Sequence, residues 1–482
     1  MDVNGSVHIT TECDVEALNM RIFTKGLGLS REDTRRVLVI MLPALFELVL
    51  SQLFTMVDTI MLGRSEISAV AIAAVGLTNN PTNLVRSILI ALNVGTTAGV
   101  AWAVGAGDRR SASQISRNAL MLMSMVGVAA AVLLYSLAGP VVRFMGAGED
   151  TFAYSKQYLQ IIAMGIFPLS MTFSITASMR GVGQTRLPMT YNLLANMLNV
   201  VGNYVLIYGK FGMPKLGVAG AAISTTLSQY IGCSLALFTA FRAHTPVQFR
   251  LDHDWHLRVK WLRRILNVGT TSMLEQLIMQ VGFIIFARQV SGLGTTIFAA
   301  HQIGLSINGL TWMPGQAFGV AATTLVGQSL GAGEKQKATD FVRMIHRMSL
   351  CVAALMAMLF VTCASHIVLL YTTDLEVAAL SGGVLRLIAL GMPGICTQIP
   401  VAAGLRGARD TKFPLMASMA GIWIFRVMLA GPFIRLWGLT GAWLTIVLDQ
   451  TTRAVVVYTR FKTGRWLHVG EKMEHAEKSQ KI

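Results

Sequence analysis

Long apolar stretches alternate with short polar segments along almost the whole chain, and about twelve stretches can be separated. Each is near the twenty-odd residues that a helix needs to cross a bilayer. The pattern therefore predicts an all-α integral membrane protein with twelve transmembrane helices. The predicted spans are 36–63, 68–104, 114–136, 153–180, 185–208, 217–242, 262–290, 295–329, 340–364, 377–405, 412–435 and 438–460. The second and eighth are long, so we expect kinks, with Pro81 and Pro314 as candidate positions.

Composition and charge agree with this class. The chain has 482 residues, of which 53% are hydrophobic and 13% are charged, whereas a soluble domain is about 25% charged. A net charge of +16 would indicate nucleic acid in a soluble protein. Here the basic residues lie in every second loop, so the positive-inside rule explains the charge and predicts that both termini are cytoplasmic. No nucleic-acid partner is expected. The basic clusters are Arg31 with Arg35 and Arg36, Arg109 with Arg110, Arg258 to Arg264, Lys335 with Lys337, Arg409 with Lys412, and Arg460 to Arg465.

The two halves of the chain repeat each other at a spacing of 226 residues. Gly105-Ala-Gly-Asp108 matches Gly331-Ala-Gly-Glu334, and Arg180-Gly181 matches Arg406-Gly407. Six spans, an even number, separate the copies, so both halves insert in the same orientation. We predict two six-helix lobes related by a pseudo-two-fold axis, with a substrate cavity between them. The predicted parts are an N-terminal segment 1–35, an N-lobe 36–242, a linker 243–261, a C-lobe 262–463 and a tail 464–482.

The first span carries two carboxylates, Glu47 and Asp58. They are eleven residues apart, roughly three helical turns, so both lie on one face about 16 Å from each other. A charge in hydrocarbon costs about 2.5–3.5 kcal/mol on insertion scales. Such residues persist where they are paired, hydrated or used. We therefore interpret the first span as the ion-coupling helix of a transporter.

Oxygen-bearing residues of two other spans favour a cation site at Asp58. Asn199 and Asn203 share one face of the fifth span, and the sixth span offers Thr225 with the carbonyl of Ala221 one turn earlier. One acid with amide, hydroxyl and carbonyl oxygens suits a weakly held Na⁺, by analogy with other hard cations. A single full charge favours Na⁺, or mixed use of Na⁺ and H⁺.

Structural alternatives remain at these positions. Asp58 could pair with a buried base such as Arg86, and the two asparagines could serve helix–helix hydrogen bonding. Arg426 and Asp449 could pair and lock the second lobe, which is the interpretation we prefer for them.

The second lobe has its own candidates for coupling and substrate contact. Glu275 lies opposite Glu47 in the repeat, and a lone carboxyl at that depth would exchange protons near neutral pH. Gln280, His301 and Gln302 are expected to face the same interior. For His301, the more common alternative is a hydrogen-bonded packing histidine.

Enzyme and nucleotide signatures are lacking. The chain contains no Walker A sequence, no HExxH and no paired DDxxD. Its Gly-Ala-Gly segments follow helices rather than strands, so they are not nucleotide-binding loops. We expect neither enzymatic activity, nor a cofactor, nor a nucleotide partner; a membrane enzyme would need a catalytic cluster at one face.

An ordered set of motifs resembles the multidrug and toxic compound extrusion (MATE) family. The resemblance runs from about Arg35 to Trp466. It is carried by the stretch from Pro43 to Gly63, both Gly-Ala-Gly and both Arg-Gly motifs, Ala299-Ala-His-Gln302, and the ending Asp449 to Arg453 with Phe461-Lys-Thr-Gly-Arg-Trp466. Each motif is weak by itself, but the set in this order is specific.

The resemblance implies a twelve-helix, two-lobe antiporter. We further expect a monomer that lies in the bacterial inner membrane and contacts lipid. It would export small organic cations and drugs in exchange for inward Na⁺ or H⁺. The family's first-helix acid falls on Asp58 and its fifth-helix pair on Asn199 and Asn203.

Tyr204 to Pro214 and Glu275 resemble the NorM-type branch, whose tenth-span aspartate is here Ile395. Because this aspartate is missing from the second lobe, we expect the cation site in the first lobe. The alternative function is a flippase for a lipid-linked sugar or another amphiphile. The intramembrane base Arg86 would favour that function, because a pyrophosphate group needs a cationic cavity.

Overall fold

The computed structural model describes residues 30–63, 68–242, 247, 249, 255–369, 371, 374–471 and 473. Most of the predicted N-terminal segment 1–35, half of the linker 243–261 and the end of the tail 464–482 lie outside the described residues. Within them the fold is helical throughout, with no strand.

Ten long helices precede the last pair, and all follow the predicted spans to within a few residues at most ends. They are α1 Arg31–Gly63, α2 Ser68–Gly105, α3 Arg109–Ser136, α4 Glu149–Val182, α5 Arg186–Tyr208, α6 Gly217–Arg242, α7 Val259–Ser291, α8 Thr295–Gly331, α9 Lys335–Thr362 and α10 Leu375–Gly407. The helices begin earlier than predicted where basic residues extend them beyond the apolar core.

The last two spans form one continuous stretch, from Lys412–Met419 through the π-helical Ala420–Leu429 into Ala430–Lys462. The backbone breaks at Gly438, which has φ 56°, a conformation that glycine adopts without a Cβ clash. We call the parts on either side of this break α11 (412–437) and α12 (439–462). Nine stretches of the described chain meet the length and apolarity of a membrane span, with α11 and α12 counted as one. α5 and α8 complete the predicted twelve.

The internal repeat is confirmed in three dimensions. In the N-lobe (α1–α6) the Thr97 hydroxyl donates to the Ala177 carbonyl at 3.1 Å. In the C-lobe (α7–α12) Thr323 donates to the Ala403 carbonyl at 3.0 Å. Both partners are shifted by the same 226 residues. A short helix also follows the third helix of each lobe, namely Ala138–Phe144 and Ala364–Leu369.

The lobes contact each other toward the face at which α1 begins and α12 ends, which we call the terminal face. There, a Cβ on Gly105 of α2 would lie 1.9 Å from the Gln328 carbonyl oxygen of α8, and one on Gly331 would lie 2.1 Å from the Trp102 carbonyl oxygen. Glycine thus permits backbone contact between α2 and α8.

Hydrogen bonds cross between the lobes at the same level. Thr324 donates to the Arg180 carbonyl at 2.8 Å, and Gln328 donates to the Gly181 carbonyl at 2.9 Å. An apolar cluster that includes Ile40 of α1 and Phe318 of α8 fills the space beside them. These contacts hold the molecule closed at the terminal face.

Candidate functional site

Beyond the first two turns of each membrane-spanning helix, the described chain carries four carboxylates. They are Glu47, Asp58, Glu275 and Asp449. Because each would be costly in hydrocarbon as an isolated charge, its partner decides its role. Three of the four are bound by arginine, and Asp58 is the exception.

Glu47 forms a salt bridge with Arg180 of α4, with Nη2–Oε distances of 3.1 and 3.2 Å. The side-chain amide of Asn192 in α5 donates to the same carboxylate at 2.7 Å. Glu47 and Asp58 therefore share one face of α1, as predicted, and that face packs toward α5. The structure ties Glu47 to a fixed cation, which is the geometry of a strut between α1 and α4.

Glu275 repeats this arrangement in the C-lobe. Arg406 of α10 binds both carboxylate oxygens at 2.8 Å, and the Ser418 hydroxyl donates at 2.7 Å. The prediction of a lone carboxyl is therefore wrong. It failed because the partner arginine, which is recognisable in the repeated Arg-Gly motif, reaches back from the terminal end of α10.

The pairing of Arg426 with Asp449 is confirmed, with an Nε–Oδ2 distance of 2.6 Å. Arg453, one turn further along α12, binds the same carboxylate at 2.5 Å and was not foreseen. All three side chains are buried. In α10, Ile395 and Cys396 are buried apolar residues where the resemblance would place an acid.

Asp58 is held by uncharged amides. The Asn203 side-chain nitrogen donates to Asp58 Oδ1 at 2.7 Å. In the Asn199 amide orientation that satisfies its surroundings, the nitrogen donates to both Asp58 oxygens at 3.1 and 2.9 Å. The Asn199 oxygen then accepts from the Thr225 backbone N–H and hydroxyl, both at 3.2 Å. The structure thus brings together four of the five residues predicted for the cation site.

One oxygen of this cluster has no hydrogen-bond partner. Asn203 is only 1% exposed, and its Oδ1 has no donor within the part of the chain that the structure describes. An orphaned buried acceptor is costly unless another group satisfies it.

Ala221, the fifth predicted ligand, lies in an apolar cluster with Leu62, Ala74 and Ile207. Its proposed role as a ligand stays a prediction.

Arg86 does not pair with Asp58. It forms no salt bridge with any residue that the structure describes, although Tyr158 of α4 interacts electrostatically with both Arg86 and Asp58. The structural alternative for Asp58, an ion pair with this arginine, is therefore wrong.

The remaining C-lobe candidates lie in different environments. His301 is 1% exposed and packs among Phe286, Phe298 and Trp443. Neither of its ring nitrogens has a hydrogen-bond partner within the described chain, so it is a packing histidine without the hydrogen bond we expected. Its neighbour Gln302 is exposed and Gln280 is half-buried. The roles of Gln280 and Gln302 in coupling or substrate contact stay predictions.

Sequence reasoning missed the partners of the acids, namely Arg180 with Asn192 and Arg406 with Ser418. The signal was present, because Asn192 and Ser418 are also 226 residues apart. A comparison of intramembrane polar residues across the repeat would have identified both sets together.

Two repeated six-helix lobes that are joined at one face, with an acid held by neutral groups inside one lobe, are the architecture of a membrane transport protein. The chain belongs to the MatE family, because the MatE family model matches residues 43–205 in the N-lobe and 272–430 in the C-lobe.

Named relatives and a solved structure agree over nearly the whole length. "Probable multidrug resistance protein NorM" of Thermotoga maritima is 30% identical over 439 residues, which cover 90% of this chain and 93% of the relative. "Multidrug resistance protein PmpM" of Pseudomonas aeruginosa is 26% identical over 94% of this chain and 96% of its own. A structure described as the outward-facing conformation of a multidrug resistance MATE family transporter of the MOP superfamily has a TM-score of 0.83 at 21% identity, covering 90% and 97% of the two chains.

Proposed function

We propose that this protein is a secondary antiporter that exports small organic cations and drugs in exchange for inward Na⁺ or H⁺. The relatives named for multidrug resistance support the substrate class. One observation carries the coupling mechanism: Asp58 is held by the amides of Asn199 and Asn203, whereas the other three intramembrane acids are bound by arginine. A carboxylate without a fixed countercharge is the one that an exchangeable cation can neutralise.

Ion binding would act through α1. Asp58 lies in the far half of this helix, and Ile40, near its start, packs against Phe318 of the other lobe. Pro43 between them removes a helical hydrogen bond and permits bending. Neutralising Asp58 changes how α1 packs on α5, and this shifts the equilibrium between lobe arrangements. By linkage, the ion and the drug must disfavour each other to the same extent.

We place the terminal face in the bacterial cytoplasm, because the basic loops lie at that face. The closed contact between α2 and α8 then makes the present arrangement outward-facing, in line with the description of the similar solved structure. The protein works as a monomer in the inner membrane.

A second candidate function, a flippase for a lipid-linked sugar, is favoured by Arg86 alone. A pyrophosphate group needs several cations, whereas α2 carries one arginine and α8 carries no Lys or Arg. Flipping of a radiolabelled lipid in proteoliposomes, compared with ethidium efflux, separates the two functions.

The test of the proposed function is ethidium efflux from dye-loaded, right-side-out vesicles with Na⁺ and pH gradients imposed separately. We expect one gradient, or both, to drive efflux in the unmodified protein. Asp58→Asn should reduce gradient-driven efflux about tenfold or more, because the amide carries no negative charge to bind the coupling ion. Protein abundance in the membrane should stay the same.

The matched control is Asp340→Asn, the same change at an exposed acid near the terminal face, which should leave efflux intact. Full gradient-driven efflux by the Asp58→Asn variant would refute the assignment of the coupling site.

A further inference from the structure

One face of α2 is polar where a lipid-facing helix would be apolar. Four polar residues are exposed along this face, and apart from one adjacent pair they lie three or four positions from each other. These residues, which we call the polar stripe, are Asn79, Asn80, Asn83 and Arg86. By contrast, the exposed face of α3 presents Met125, Val128 and Val132, as contact with hydrocarbon requires. The polar stripe therefore faces a water-filled space.

The same holds for α8, the repeat counterpart of α2. Its exposed positions include Gln302, Ser306 and Gln316 on one side of the helix. α2 and α8 meet at the terminal face through Gly105 and Gly331. These glycine contacts lie at one end of both helices. Thr97, eleven residues or about three turns beyond Arg86 on the same face of α2, bonds to Ala177 of α4. The polar stripe therefore lines the cleft on the α4 side of α2, within the N-lobe.

Arg86 lies at the midpoint of α2, about 27 Å from either end, and thus near the middle of the bilayer. Its side chain is exposed and shares one helix face with three asparagines. It therefore lines a cleft and not the lipid-facing surface. No described residue forms a salt bridge with Arg86, so its guanidinium N–H groups are available to a ligand.

We propose that Arg86 binds an anionic group, specifically a carboxylate, on the transported compound. A guanidinium presents paired N–H donors that match the two oxygens of a carboxylate. Ile90, 50% exposed one turn beyond Arg86, offers apolar contact for the body of the ligand. The substrate class then includes zwitterionic amphiphiles as well as simple cations. This proposal rests on the proposed export function and specifies its substrates.

Two dyes that differ in one group test it. Rhodamine 110 carries a free carboxyl group, and rhodamine 123 is its methyl ester on the same cationic ring system. In proteoliposomes of neutral lipid, Arg86→Gln should reduce rhodamine 110 transport about tenfold or more, because a charge-assisted pair is lost. Transport of rhodamine 123 should remain within about twofold of the unmodified protein. Arg86→Lys should restore part of the rhodamine 110 transport, because the charge remains without the fork.

The matched control is Arg288→Gln, the same change at an exposed arginine in the last turn of α7, which should affect neither dye. Equal loss of both dyes in Arg86→Gln would mean that Arg86 supports the fold, and would overturn the proposal. A loss that appears only when phosphatidylglycerol is included would mean that Arg86 holds a lipid phosphate, which also overturns it.

If the unmodified protein transports neither dye, the proposed export function fails. Dye binding to the detergent-solubilised protein, measured by fluorescence anisotropy, then decides the Arg86 proposal independently. A selective loss of rhodamine 110 affinity in Arg86→Gln supports it, and unchanged affinity for both dyes contradicts it.

Discussion

Single residues at equivalent positions of the two lobes have diverged in what they bond. Asp108, which begins α3, accepts a hydrogen bond from the Ser111 backbone N–H at 2.9 Å and another from the Ser111 hydroxyl. Its repeat counterpart Glu334, which begins α9, makes no such cap and instead pairs with Lys337 at 3.2 Å. The shorter aspartate side chain reaches the first helical turn, whereas the glutamate extends past it. The Gly-Ala-Gly motifs are therefore alike in backbone but not in stabilisation.

This difference predicts an asymmetric response to truncation. Asp108→Ala should destabilise the protein by about 0.5–2 kcal/mol through loss of the cap, and Glu334→Ala should have little effect. The melting temperatures of the purified variants in detergent measure this. Equal melting temperatures for the two variants would contradict the capping role.

The stability that the Asp108 cap contributes depends on pH. Hydrogen bonds from the Ser111 side chain and backbone hold the pKa of Asp108 below its ordinary value. A lowered pKa in the folded state contributes stability above the unfolded pKa of about 3.9, and this contribution is lost as the pH falls through the lower value. The stability difference between the two variants should therefore persist at neutral pH and disappear in strong acid.

At the level of helices, each lobe is fastened by one acid of its first helix, one arginine of its fourth and one polar side chain of its fifth. In the N-lobe these are Glu47, Arg180 and Asn192. In the C-lobe the corresponding positions hold Glu275, Arg406 and Ser418. Removal of one partner leaves an uncompensated charge inside the bundle, which is more costly than removal of both.

A double-mutant cycle should show this relation in the C-lobe. Glu275→Gln and Arg406→Gln are each expected to cost about 3–5 kcal/mol, and the double variant should be more stable than either single variant. The measurement is thermal stability in detergent. The control cycle uses Asp340 and Arg343, an exposed pair at 3.3 Å, whose coupling should be about 1 kcal/mol or less. Additive losses at Glu275 and Arg406 would show that the pair is not a strut.

Across the whole molecule, the Arg-Gly motif of the N-lobe serves two contacts at once. The Arg180 side chain binds Glu47 within its lobe, while the Arg180 carbonyl accepts from Thr324 of the other lobe. The strut that fixes α1 to α4 therefore adjoins the contact that closes the terminal face. Because Arg180 takes part in both contacts, a shift of α1 can reach the lobe contact through this one residue.

Loss of the cross-lobe hydrogen bond should favour opening at the terminal face. In Thr324→Val, the Arg180 carbonyl loses its donor, so the closed arrangement should be weakened by about 1 kcal/mol. Spin labels at the exposed positions Arg110 and Gln336 should report a larger population at long distance. The control is Thr323→Val, since Thr323 bonds within its own lobe to Ala403. An unchanged distance distribution in Thr324→Val would show that this bond does not hold the face closed.

The sequence by itself determined the span count, the twofold repeat and the grouping of Asp58 with Asn199, Asn203 and Thr225. The span count follows from apolar length, and the repeat follows from matching motifs at a constant spacing. The Asp58 group follows from residues that share helix faces, together with the family resemblance. Only the tertiary structure decided which intramembrane acid is not paired with an arginine. Glu47 and Glu275 look as isolated as Asp58 in the sequence, yet arginines more than 130 residues away neutralise them. Charge pairing depends on which helices pack together, and no local pattern encodes that choice.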